Sequence, residues 1–548
     1  MSVRAALPRL VTLVPALTLA LPAPAPAQQT ASAPAPLVAL TLDQAVQQAI
    51  EHNPDLAVAR YDAPIGDTRV AQALGAFTPS VTTSTLLTGQ TQPPSSFFVG
   101  QQGIESDLVS ASLGVSQRLP WFGSSYSVAW DGSRQTTASP FTNFSPSLGS
   151  RIRLVFSQPL LRDRIIDTAR EQLARSRTDR DVADVAYRER LVQTTAAVKR
   201  AYWDYVGARA AVDVARRSLD LARDLERNNR IRVEVGDLPP LDLVAAQAEV
   251  AQREEERILA EAAVRRTEDV LRALVLDPSR DDFWQVRLEP SDPLPDVASL
   301  PDVDLAVRQA FADRTDLVRA RAELENARLA VSLRDNQRLP DLRLQASLAT
   351  DGVGGSRLLY GTDGFPPPII GREATGFGTV LGQVITGDFP TWSLGLTLSY
   401  PIGRSFEEAD LARARLEADR TAARIRSLEV EAARQVRGAA LDMEAGAKRI
   451  ESTRVARELA ERRLDAEQKR FEVGMSTSFL VVQAQRDLAQ ARINELLAHL
   501  AYERARIDFE ALRQAGPAGA GATAGPVINL SAPPAAATTG STGPGGQR

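Results

Sequence analysis

The 548-residue chain contains no cysteine, which excludes disulfides, thiolate metal ligands and a lipid-modified cysteine. It has two histidines, His52 and His499, far apart in helical patterns, so no His/Cys metal site can form. Lysine occurs only at 199, 448 and 469; the positive charge is otherwise arginine, and the net charge of −4 argues against a nucleic-acid partner. No stretch reaches the ~18 consecutive apolar residues of a transmembrane helix. A chain of this kind that crosses a membrane must therefore use closed strands, whose backbone groups satisfy one another. No catalytic constellation stands out. Gly352-Val-Gly-Gly355 falls in a loop between strand-like segments, not between a strand and a helix, so it is no phosphate loop. The expectation is a protein without enzymatic activity or cofactor.

What the chain does contain is a repeat. Arg232-Val-Glu-Val-Gly236 and Arg470-Phe-Glu-Val-Gly474 share a signature, each followed by an apolar run and by a glutamine eleven residues after the glycine, Gln247 and Gln485. Asp55 matches Asp316 and Pro79 matches Pro340 at one offset, 261 residues; Pro159 matches Pro401 at 242, and Gly236 matches Gly474 at 238. A constant offset over the opening helices indicates duplication. The fall of 19 residues places an insertion in the first copy, between Pro79 and Pro159.

The segments follow in order. Residues 1–27 read as a secretory signal, with Arg4 and Arg9, a short apolar stretch from Val11 to Leu21, and Ala25-Pro-Ala27 before Gln28. Residues 28–40 form a linker, 41–300 the first repeat and 301–512 the second; 513–548, rich in Ala, Gly, Pro and Thr, reads as a disordered tail. Residues 41–74 suggest two helices. Strand-like alternation follows at about 80–158, in four segments, and at 341–400, in two segments joined by a Gly/Pro-rich loop of roughly forty residues. Segments of about ten residues match a tilted membrane strand, and Phe77, Trp121, Phe122, Trp130, Phe156, Trp392 and Tyr400 lie near their ends, where an interfacial girdle sits. Long helices then run over 162–276 and 404–512. The first carries a seven-residue row, Leu191, Val198, Tyr205, Val212 and Leu219, beside an alanine row at 201, 208, 215 and 222; the second a looser row, Ala445, Ser452, Leu459, Ala466 and Val473. A seven-residue repeat implies a left-handed coiled coil.

In this order, and twice over, these features resemble the TolC-like outer membrane efflux proteins across about residues 40–512. They are the paired prolines at helix–strand junctions (Pro79 and Pro340; Pro159 and Pro401), the long helices and the doubled Val-Gly signature. The resemblance implies a mixed α and β membrane protein: an internally duplicated chain in which a long α-helical barrel joins a trimeric transmembrane β-barrel. It implies a homotrimer in outer membrane lipid, extending into the periplasm and working with a periplasmic adaptor and an inner-membrane transporter. It also places residues 277–302 and the segment after Leu512 in an equatorial belt. By the same resemblance, Val235, Gly236, Asp237 and Leu238, with Val473, Gly474, Met475 and Ser476, are the adaptor-docking tip loops. Asp242, Phe471, Leu480 and Gln483 fall at the periplasmic constriction; of these only Asp242 is acidic, so an apolar constriction by Phe471 or Leu480 replaces the family's acidic one. Six strands per chain are expected, against the family's usual four. The alternative is a periplasmic or surface coiled-coil scaffold without channel activity.

Overall fold

The computed structural model describes residues 37–93, 103–139, 142–293, 300–364, 368–403 and 406–517. The expected signal segment lies outside these residues, as do most of the linker and tail. The first copy comprises β1 (Leu37–Leu40), α1 (Leu42–His52), α2 (Pro54–Ala59), α3 (Asp62–Leu74), β2 (Ser80–Gln92), β3 (Ile104–Arg118), β4 (Ser125–Thr137), β5 (Phe144–Pro159), α4 (Thr168–Glu234), α5 (Pro240–Val275) and β6 (Arg287–Pro290). The second comprises α6 (Val303–Asp313), α7 (Thr315–Gln337), β7 (Asp341–Tyr360), β8 (Ile369–Thr375), α8 (Phe377–Thr386), β9 (Phe389–Ser399), α9 (Phe406–Glu472) and α10 (Ser478–Leu512).

Local chemistry sets the boundaries. Thr41 and Gln44 form a reciprocal capping box at the start of α1, and Asn53 and Asp302 accept from the first amides of α2 and α6. α4 begins later than the absence of proline suggests, because Asp167 caps it by accepting from the Arg170 amide; residues before it form a turn. α1 and α6 are related by the 261-residue offset, but the first copy then breaks into α2 and α3 where the second has one continuous α7. Pro64 explains the difference: it lacks an amide donor and fits only in a helix's first turn, which it occupies in α3.

α4 and α9 are each 67 residues long, about 100 Å at 1.5 Å per residue. α5 packs along α4, α4 along α10, and α10 along α9, giving the lateral order α5–α4–α10–α9. Val198, Tyr205, Val212 and Leu219 are buried in the α4 seam, as their spacing predicts. In α9 the expected row is wrong: Leu459 and Val473 are exposed. The buried heptad is Val436, Met443, Ile450, Leu464 and Phe471. Arg457 stands in the middle of that row, bridging Glu461 and Glu495 (3.0 and 2.6 Å), and so disguises it. Around the middle of the bundle, β1 pairs in parallel with β6, and Tyr202 and Tyr205 donate to the Leu40 and Leu288 carbonyls. Ala515 is buried nearby, and Gln514 accepts from the Thr315 amide.

The sheet runs β2–β3–β4–β5–β7, antiparallel throughout. β7 pairs on its far side with β9 over Asp341–Asp351 and with β8 over Gly355–Tyr360. β8 and β9 therefore lie in one column that α8 interrupts, and the sheet has six columns. Gly352–Gly355 lies within β7 rather than in the expected loop. Register sorts the side chains into two faces. One carries Leu113, Val128, Ile152, Leu154, Leu344, Leu348, Trp392, Leu394, Leu396 and Leu398; the other carries Thr82, Ser84, Ser112, Ser127, Asp131, Arg151, Arg153, Gln345, Ser347, Asp351 and Ser393. Trp121, Phe122 and Tyr400 lie exposed at the end nearer the long helices and Trp392 lies exposed toward the outer end of β9, whereas Trp130 is half-buried in mid-strand, donating to Ser150 Oγ. Phe77 is buried instead, its carbonyl accepting from Gln117.

Candidate functional site at the helical tips

Each pair of long helices turns at a glycine. Gly236 has φ +84° and Gly474 +77°, the left-handed region that glycine enters without strain. The two turns close with the same bonds: Gly236 and Gly474 amides donate to Val233 and Phe471 carbonyls, and Asp237 and Met475 amides to Arg232 and Arg470 carbonyls. Pro239 and Pro240 then start α5, and Thr477 precedes α10. The doubled signature thus folds into two superimposable C-caps.

Around the turns the copies differ. Val235, Leu241, Val473, Met475 and Phe479 are all exposed large apolar side chains, with Val244 just above, so the tip ends in a largely apolar surface. Leu238 packs inward onto the cluster formed by Leu225, Leu464, Phe471, Val481, Ala484 and Leu488. Ser476 donates to Glu467 (2.7 Å), tying the second turn to its own helix.

A cross-tie joins the two hairpins. The Arg232 guanidinium lies 4.6 Å from the Phe471 ring centre and donates to the Phe471 and Glu472 carbonyls at 3.1 and 3.2 Å. Higher up, the fully buried Asn229 donates to Ser478 Oγ (2.6 Å) and to the Asp242 carbonyl (3.3 Å). Buried Glu249 accepts from Arg253 (2.8 Å) and from Arg486 (2.5 Å), linking α5 to α10; this bond holds the Arg486 guanidinium above its ordinary range. Gln485 is buried and donates to the Leu221 carbonyl, whereas Gln247 is exposed.

The four positions assigned to a constriction do not form one cluster. Phe471, only 6% exposed, is a core residue beneath Arg232. Asp242 is half-buried near Asn229, Leu480 is exposed, and Gln483 donates to Asp487 (2.9 Å). Sequence reasoning missed Arg232, Asn229 and Glu249. Only Arg232 carried a signal, since it opens the doubled signature; its repeat mate Arg470 is exposed and pairs with Glu467. Among the described residues there is no cluster of three or more potential metal ligands, and no helix is long and apolar enough to cross a membrane.

The family model described as outer membrane efflux protein matches residues 306–515. No curated protein matches the sequence. Several solved structures share the fold. The outer membrane protein VceC of Vibrio cholerae is 15% identical, with a TM-score of 0.61 over 87% of this chain and 96% of that one. The outer membrane channel CmeC of Campylobacter jejuni is 14% identical, with a TM-score of 0.60 over 86% and 85%. The open state of the outer membrane channel MtrE of Neisseria gonorrhoeae is 17% identical, with a TM-score of 0.58 over 87% and 89%.

Proposed function

This chain carries an outer membrane efflux protein domain and folds as an outer-membrane channel does, and we propose that it is the exit duct of a tripartite efflux or type I secretion assembly. Three copies close one barrel; the helices prolong it through the periplasm; an adaptor protein docks on the tips; and an inner-membrane transporter supplies the energy. The observation that carries this reading is the six-column sheet, apolar on one face and polar on the other, with both outer edges open. Among the described residues β2 and β9 each have a strand partner on one side only. Open edges of that length need a partner strand, and apolar faces of that extent need lipid. Exposed apolar side chains on the two outermost helices, Leu241, Val244 and Ile258 on α5 and Leu441 and Leu459 on α9, likewise fit contacts with neighbouring copies. The apolar band is what a soluble scaffold would lack.

Docking on the tips is supported by their exposed apolar ends and by the open space around their glycines. A Cβ at Gly236 or Gly474 would meet nothing within 4 Å, so substitution strains the turn without a clash. The test is Gly236→Val with Gly474→Val. The trimer should still form and insert, while crosslinking to the adaptor and export are lost. Unchanged export overturns the docking assignment. Absence of conductance from the reconstituted wild-type chain overturns the duct.

A further inference from the structure

The sixth column of the sheet is broken on purpose-built terms. β8 leaves β7 at Thr375, opposite Gly355, and β9 resumes at Phe389, opposite Asp351. The intervening residues form α8, closed by Gly387 at φ +74°. The break leaves Gly352, Val353 and Gly354 of β7 without a strand on that side. Gln383 of α8 repairs it, accepting from the Val353 amide at 3.0 Å. α8 lies against the sheet, and glycine makes room for it: a Cβ at Gly352 would stand 2.2 Å from the Val380 carbonyl oxygen, and one at Gly354 would stand 2.6 Å from Val380 Cγ2.

The register identifies the face. Gly352 and Gly354 continue the row Leu342, Leu344, Ala346, Leu348, which is the apolar face. α8 therefore sits outside the barrel wall. From Leu342 to Gly352 is about 33 Å of strand at ~3.3 Å per residue, or about 25 Å of height at the usual tilt of ~40°, which is the height of a barrel's apolar band. The helix thus lies at the outer rim of that band.

The surface of α8 has three sectors. Val380 and Val384 are buried against the sheet. Phe377, Leu381 and Ile385, at i, i+4 and i+8, continue the apolar arc outward from the sheet: Phe377 leans on β4 beside Gly132 and is 39% exposed, Leu381 is half-buried, and Ile385 is 73% exposed. Thr379, Gln383 and Thr386 form the polar remainder, and no residue from Phe377 to Gly387 is charged. Next to the helix, the 75% exposed Trp392 joins the same surface, whereas Phe389, paired with Asp351, falls on the polar face. We propose that α8 is an interfacial membrane helix whose Phe377–Leu381–Ile385 stripe lies in the acyl chains of the outer leaflet, seating the barrel rim at that boundary. A helix with barrel, lipid and water sectors has the form such helices take. Lipid is the occupant because the stripe is continuous with the lipid-facing leucines of β9. This inference rests on the membrane reading given above.

The absence of cysteine makes the test direct. Ile385→Cys, Leu396→Cys, Thr379→Cys and Gly236→Cys would each carry one nitroxide label in full-length protein reconstituted into phospholipid vesicles. Collision with oxygen reports acyl chains, and collision with a water-soluble nickel chelate reports solvent. At Ile385→Cys and Leu396→Cys oxygen should dominate; at Thr379→Cys and Gly236→Cys nickel should. Nickel dominance at Ile385→Cys, with oxygen dominance at Leu396→Cys, overturns the proposal and leaves the barrel reading intact. An immobilised label at Ile385→Cys that neither reagent reaches also overturns it, since protein would then cover the stripe. Nickel dominance at Leu396→Cys overturns both.

Discussion

Replacing Arg232 with alanine should loosen the helical tip without unfolding the protein. The side chain makes three contacts across the two hairpins: one with the Phe471 ring and two with carbonyls of the opposite helix. A half-exposed cation over a ring contributes ~0.5–1 kcal/mol. Each hydrogen bond adds a net ~1 kcal/mol, because water replaces it when it is lost. The sum is ~2.5–3 kcal/mol, and every 1.4 kcal/mol is tenfold, so local opening of the second turn should become about 60- to 140-fold more frequent. Native-state hydrogen exchange reads this directly at the Val473, Gly474 and Met475 amides, which donate to Lys469, Phe471 and Arg470. Amides in mid-α9 serve as the internal reference and should not change. Arg232→Lys keeps the charge but loses the planar fork, so it should fall between the two. In a planar bilayer the alanine variant should also conduct more at low voltage, because the tip is the narrow end of the proposed duct. Acceleration of less than about threefold at all three amides would mean that the hairpins are held by the Leu225–Phe471–Leu488 cluster alone.

Three further outcomes are expected. Gly207→Ala should lower the melting temperature by the equivalent of ~1–3 kcal/mol, because its Cβ would overlap Leu500, whereas Gly438→Ala, with nothing near it, should gain ~0.5–1 kcal/mol. Glu503 is 1% exposed in α10, and burial pushes its carboxyl above the ordinary range despite Arg506 at 2.7 Å. A raised folded-state value means that its favourable contribution is complete below the ordinary carboxylate pKa and is lost as pH rises through the raised one. Glu503→Gln should therefore raise thermal stability at neutral pH and leave it nearly unchanged in acid, and equal gains at both would refute the assignment. Finally, in the proposed three-copy ring the six-column sheets would make eighteen strands, and at ~4.8 Å spacing and ~40° tilt that barrel would be about 36 Å across, against about 24 Å for twelve; single-channel conductance limited by the tip should rise steeply once the tip is opened, with a ceiling above that of a twelve-stranded barrel.

The repeat made much of this molecule readable. Offsets in the sequence located α1 against α6, both glycine turns and the added hairpin of the first copy, because duplication preserves spacing even where residue types drift. The first long seam was legible because Val198, Tyr205, Val212 and Leu219 are all apolar. The second was not, since Arg457 occupies one of its seven-residue positions, where its charge is satisfied by Glu461 one turn on and by Glu495, which only the folded chain brings near. α8 was hidden for another reason: its residues lie in a Gly/Pro-rich stretch and alternate neither like a strand nor over enough turns to read as a helix, and its burial depends on glycines thirty residues earlier. The tip turns follow from local backbone chemistry, whereas the cross-tie from Arg232 to Phe471 joins residues 239 apart in sequence and has no local signature.

The open edges of β2 and β9 carry a consequence for gene dosage. A strand edge is donated in one direction around the proposed three-copy ring, so a chain with an intact β2 but a ruined β9 can still be accepted by a neighbour and then offers nothing to the next. Such a chain would not be silent when expressed beside the normal one. If the two were made in equal amounts and mixed freely, about one ring in eight would contain only sound copies, and a lesion in β9 would behave genetically as a dominant one.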